Sequence, residues 1–156
     1  MTTQLFQTIH FAGLVIYSTL VFFFSAYVGF CRFAKKHNTL IAIRRFRWFG
    51  AILGLSMGAI ILGGIVLHYG STWGLSGAYA VNMEFMTLKY VVFAILWVSN
   101  FQLEIWTLQG VRSLDPNCKL TADELTPAYT TAAKRVSNQL FFNSGLLVLL
   151  CFISMG

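Results

Sequence analysis

A chain of 156 residues that is 57% hydrophobic and 10% charged, with a mean hydropathy of +0.70, is too apolar for a water-soluble domain, where about a quarter of residues carry charge. At about 20 apolar residues per crossing, its apolar stretches take up most of the chain and exclude a second or a large aqueous domain; the expected fold is an all-α integral membrane protein, a four-transmembrane-helix bundle. The net charge of +6 falls almost wholly in two short loops, which points to topology and contact with anionic headgroups and away from nucleic acid.

The first predicted span covers residues 5 to 30. At 100° per residue, Gly13, Leu14, Tyr17, Val21 and Val28 fall within about 60° of His10, so one stripe carries a histidine, a glycine and a tyrosine. The residues before the span lack the positive n-region of a cleaved signal peptide, so the span is expected to be retained. A loop follows that holds Arg32, Lys35, Lys36, His37, Arg44, Arg45 and Arg47 and no acidic residue. An excess of Lys and Arg in so short a loop marks the cytoplasmic side.

The second span covers residues 48 to 68. Gly50, Gly54 and Gly58 recur every fourth residue, a spacing that lets helix backbones approach closely in lipid. Gly54, Met57, Ile61 and Gly64 lie within about 40° of His68, so His68 is expected on the packing face. The outer loop, 69 to 84, contains Glu84 as its one charge. Span three, 85 to 108, places Leu96, Asn100 and Thr107 within about 20° of Lys89.

The second inner loop carries a turn signal at Asp115 to Asn117 and two possible helix starts, Thr121 with Glu124 and Thr126 with Pro127. Pro127 would break a helix begun at Thr121, so span four is expected over 127 to 155, entering the membrane near Arg135. Arg112, Lys119, Lys134 and Arg135 repeat the positive-inside signal, which places both N and C termini outside and makes residues 1–156 one membrane domain. Cys31 and Cys118 fall on the reducing side and Cys151 in the last span, so free thiols are expected.

Two polar clusters result. The inner one holds Asn100, Glu104, Asn138, Gln139 and Asn143 with Arg135 at its boundary, where interhelical hydrogen bonds and a Glu to Arg pair would fix helix register, the other reading being a proton or substrate path. The outer one holds His10, His68 and Lys89, with Glu84 near. Two histidines at matching depth on adjacent helices suit the axial ligation of haem b; hydrogen-bonded structural histidines, or a small metal site, are the other readings. Zinc or copper would want more ligands than two histidines supply; Cys151, Met57, Met83 and Met86 read as apolar filling in preference to further donors. Lys89 suits a propionate or another anionic group, or snorkels to the headgroups.

Laid out this way, the chain resembles the HemJ-type protoporphyrinogen oxidases and the related membrane domain of CopD copper-resistance proteins. The matching pieces are His10 near the start of span one, Lys89 at the start of span three with Asn100 eleven positions on, and Arg135, Val136, Ser137, Asn138 entering span four. The resemblance implies a small four-span bundle, haem b, and roles for His10 and Lys89; His68 comes from the residues alone. The chain departs from that pattern at Ser25 and Ala26, where the oxidases carry Pro-Arg, at Thr87, usually His there, and at Asn100, often His.

The expected function is haem b binding at His10, His68 and Lys89, for electron transfer or a redox step on a porphyrin- or quinone-like substrate, with a redox partner. The alternative is a cofactor-free accessory subunit of a larger membrane complex, or a homo-oligomer. The expected location is a bacterial-type inner (plasma) membrane, crossed several times.

Overall fold

A computed structural model describes residues 2–45, 49–69, 86–115, 121 and 124–155. Among the described residues the protein is all-helical, with α1 (Thr2–Phe33), α2 (Thr39–Arg45), α3 (Phe49–Tyr69), α4 (Met86–Arg112) and α5 (Pro127–Met155). Three of these helices are long and apolar enough to cross a membrane, over Gln4–Phe33, Gly50–Leu67 and Thr87–Arg112. The chain is a membrane protein. The bounds of the four long helices fall within four residues of the predicted spans.

The helices pack as two antiparallel pairs. α1 runs against α3, with Gly13 beside Ser56 and His10 beside Gly63. α4 runs against α5, with Gly110 beside Ala132 and Ser99 bonded to Asn143. α1 and α5 join the pairs through Ser25, whose hydroxyl donates to the Leu140 carbonyl at 3.0 Å and lies 2.8 Å from the Ser144 hydroxyl. α3 and α4 meet over a short seam at Gly50 and Glu104.

The core is built from the stripes that face inward. Tyr17, Val21 and Val28 of α1 are buried as their shared line with His10 predicts, and they pack with Met57, Ile60, Leu96 and Leu140. The outward faces are apolar too: Val15, Phe23, Leu55, Trp97, Phe101 and Phe152 are exposed. Lipid gives those faces no reason to leave the surface, so close packing and interhelical hydrogen bonds decide which face turns in.

That principle corrects the expectation for α3. Gly54 and Gly58 are exposed, and an added Cβ at either would meet nothing within 4 Å. The stripe that packs on α1 is Leu53, Met57, Ile60 and Gly63, with Gly64 against the His10 ring. Small residues permit an approach, but the branched and long side chains between them supply the contact area.

The first inner loop is also more ordered than its charge suggests. α1 ends in a Schellman arrangement: Lys36 N–H donates to the Cys31 carbonyl at 2.8 Å and Lys35 N–H to that of Arg32 at 3.3 Å, with Lys35 at φ 50°, the left-handed conformation of the residue after a helix. α2 follows and buries Leu40 and Ile43 while Arg44 stays exposed. It needs Gly110, where a Cβ would overlap Leu40 Cδ1 and lie 2.8 Å from Ala132 Cβ. At the far loop the second helix start is the one used: α5 begins at Pro127, and Thr126 Oγ1 accepts from the Tyr129 N–H at 3.1 Å.

Candidate functional site

The histidine site is anchored by His10 of α1. Its Nδ1 lies 2.7 Å from the Ile60 carbonyl oxygen, and since a carbonyl only accepts, Nδ1 carries a proton. In the neutral ring this leaves the lone pair on Nε2. Gly63 opposite is required, since a Cβ there would stand 2.7 Å from His10 Cβ and 3.0 Å from the Phe6 carbonyl, whereas one on Gly64 would make ordinary contact with His10 Cε1 at 3.4 Å. The histidine therefore clamps α1 to α3 through one ring nitrogen and leaves the other for a second partner.

His68 lies on α3 four residues, one helical turn, past Gly64, and its side chain lies outside the described residues, as do Glu84 and Met83. Lys89 is half-buried in the first turn of α4. His10 and Lys89 share no hydrogen bond among the described residues. No group of three His, Cys, Asp or Glu side chains stands close enough to hold a metal ion among them either. Cys31 is buried and Cys151 exposed, both free; Cys118 lies outside the described residues.

The inner polar cluster splits into parts. Gln139 Nε2 donates to Ser99 Oγ at 2.6 Å, and Ser99 Oγ donates to Asn143 Oδ1 at 2.6 Å, stitching α4 to α5. Tyr17 Oη donates to Asn100 Oδ1 at 3.1 Å, stitching α1 to α4. Asn138 does not join them and is exposed. The Glu to Arg pair forms with Arg44 of α2, at 3.8 Å between half-exposed side chains, while Arg135 lies over the Trp106 ring, 5.8 Å from its centroid. At that exposure the ion pair contributes little, at most about 1 kcal/mol.

Sequence reasoning named Ser25 and Ser137 only within the resemblance, and it missed Ser99, Ser144 and Tyr129. Serines in apolar spans leave no mark on a hydropathy profile, yet each hydroxyl can hold two helices together. The amide nitrogens of Asn100 and Asn143 and the hydroxyl of Ser137 are buried without a partner. Near Asn100, a groove of about 250 Å³ opens between α3 and α4, lined by Gly50, Gly54, Trp97, Phe101 and Glu104.

Comparison of the chain with family models, curated proteins and solved structures finds no match.

Proposed function

We propose that this chain is a four-span membrane bundle that binds haem b near its outer surface and serves electron transfer, or a redox step on a porphyrin- or quinone-like substrate. The observation that carries the reading is the bond from His10 Nδ1 to the Ile60 carbonyl. A backbone carbonyl on one ring nitrogen orients a histidine and raises the basicity of the other, the arrangement common to metal-ligating imidazoles. His10 Nε2 fits an iron ligand in that sense. His68, one turn beyond the glycine that touches the His10 ring, is the second proposed ligand, and Lys89 the proposed partner of a propionate or anionic substrate.

A bound haem would supply one-electron chemistry, and two histidine ligands favour electron transfer over catalysis. The protein's share is to hold the His10 ring in one tautomer, against Gly63 and Gly64. α5 makes the fourth crossing in this reading, with Ser137, Gln139, Asn143 and Ser144 turned inward and Phe141, Phe142, Val148 and Leu149 outward. The cluster of Lys and Arg at the ends of α1, α2 and α4 then lies in the cytoplasm, with both termini outside a plasma membrane.

The test is a visible spectrum, oxidised and dithionite-reduced, of protein extracted gently from its membrane, with a pyridine haemochrome assay. A sharp reduced α band is expected, lost in His10→Ala and His68→Ala. A colourless parent protein, or haem content unchanged in both variants, refutes the reading.

A second reading, an accessory subunit in a larger complex or a homo-oligomer, is favoured by the open stripe of Gly54 and Gly58. It predicts co-purification with other subunits or further copies in mild detergent; a solitary monomer counts against it.

A further inference from the structure

The inner ends of α1 and α5 enclose a pocket of about 210 Å³ that the proposed outer site does not use. Arg32, Lys36, His37 and Lys134 line it together with Tyr129 and Ser137, and no carboxylate is among its lining residues. Backbone geometry builds it. The left-handed turn at Lys35 reverses the chain after α1, so that Lys36 and His37 come back toward α5. The Tyr129 hydroxyl, on the buried face of α5, then donates to the His37 carbonyl at 2.6 Å and ties the loop down. Lys36 is positioned further by the Phe30 ring, 5.0 Å from its Nζ.

Two features of this pocket are unfavourable when it is empty. Its cations, Arg32 of α1, Lys36 of the loop that follows and Lys134 of α5, line it with no carboxylate to balance them. Ser137 is 3% exposed and its hydroxyl has no hydrogen-bond partner, which costs stability in a buried setting. One ligand chemistry relieves both. An anion with several acceptor oxygens neutralises the cations through charge-assisted hydrogen bonds and accepts from the hydroxyl.

We propose that this pocket binds a phosphate group. Basic pockets between helices on the cytoplasmic side of a membrane suit phospholipid headgroups, and the same chemistry accepts free phosphate from solution.

The experiment uses the purified full chain in neutral detergent and follows thermal unfolding as phosphatidylglycerol, phosphatidylcholine or inorganic phosphate is titrated. A saturable rise in unfolding temperature is expected with phosphatidylglycerol or inorganic phosphate, and little with phosphatidylcholine, whose choline meets the same cations. A response to the lipid alone identifies the headgroup as the source, and a response to inorganic phosphate alone identifies a soluble anion. Arg32→Gln with Lys134→Gln should weaken the apparent affinity by about tenfold or more, as expected for loss of two charge-assisted bonds. Arg112→Gln, a cation at the inner end of α4 outside the pocket, should leave it unchanged. Ser137→Ala should weaken binding while leaving the unliganded unfolding temperature equal or higher, a pair of opposite effects that bulk charge screening does not produce. Both exchanged cations are exposed, and native mass spectrometry of the parent counts retained phosphatidylglycerol independently of any variant. No response to either anion, or an equal loss with Arg112→Gln, overturns the proposal.

Discussion

Two glycines of the same helix should respond in opposite directions to the same methyl group. At Gly63 a new Cβ would lie 2.7 Å from His10 Cβ, 3.0 Å from the Phe6 carbonyl oxygen and 3.1 Å from His10 Cα. None of those atoms can rotate away, so α1 as a whole must move off α3. Overpacking of this kind costs about 1–3 kcal/mol, and the shift endangers the His10 to Ile60 bond, worth about another 1 kcal/mol. At Gly58 the methyl would meet open space. Gly58→Ala therefore gains helix propensity, at most about 1 kcal/mol, and less where the denatured chain keeps its helices. The propensity gain is common to both variants and cancels, so the difference between them should be about 1–3 kcal/mol, and about 2–4 kcal/mol if the His10 bond is lost as well. Unfolding of purified monomer in mild detergent, by heat and by titration with a denaturing detergent, measures it. If Gly58→Ala destabilises as much as Gly63→Ala, the assignment of the α1 and α3 contact to Gly63 is wrong.

Two further substitutions test the inner half of the bundle in the same unfolding assay. Tyr129→Phe removes the bond to the His37 carbonyl and should cost about 0.5–1.5 kcal/mol, seen as earlier unfolding and faster proteolysis between α1 and α2. Asn143→Ala strips the Ser99 hydroxyl of its acceptor in a fully buried position and should cost about 1–3 kcal/mol. Asn138→Ala, at an exposed site on the same helix, should stay within about 0.5 kcal/mol of the parent.

What could be read from the sequence follows from which forces leave a pattern in it. The positions of the long helices were legible because a crossing needs a run of apolar residues of set length, and the start of α5 was legible because Thr126 and Pro127 together satisfy the geometry of a helix N-terminus. The inward line of His10, Gly13, Tyr17 and Val21 emerged from period alone. The face of α3 did not, because in lipid both sides of a helix are apolar and a glycine repeat says only where approach is possible. α2 was hidden by its charges: Arg44 and Arg45 read as a polar loop, and that signal masks the burial of Leu40 and Ile43. At the candidate site, the tautomer of His10 was out of reach of the sequence, since it depends on a backbone carbonyl fifty residues away. The pairing of Glu104 with Arg44 instead of the boundary Arg135 is likewise a tertiary fact.

The polarity of α5 carries the last prediction. Its buried side chains include Ser137 and Asn143, and its exposed ones include Phe141, Phe142, Val148, Leu149 and Phe152. Val136, Leu140, Leu147 and Leu150 are buried too, so it is the apolar outward face that separates this helix from a water-soluble one, because exposed aromatic and aliphatic side chains cost free energy in water. In the proposed fourth crossing the outward faces meet lipid, and Gln139 and the Asn143 side-chain oxygen both bond to Ser99 of α4. A charge on the outward face should then oppose insertion: Val148→Lys is expected to cost about 2–3 kcal/mol, since lysine is unfavourable by about 2.5–3.5 kcal/mol at a span centre and less toward its ends. Thr131→Lys, exposed in the turns before Arg135, should change insertion by less than about 0.5 kcal/mol. A reporter fused to the C-terminus reads the outcome, active outside for the parent and for Thr131→Lys, and shifted inward or reduced in yield for Val148→Lys. Equal behaviour of the two lysine variants would mean that the outward face of α5 rests against protein or water and that α5 does not cross the bilayer on its own account.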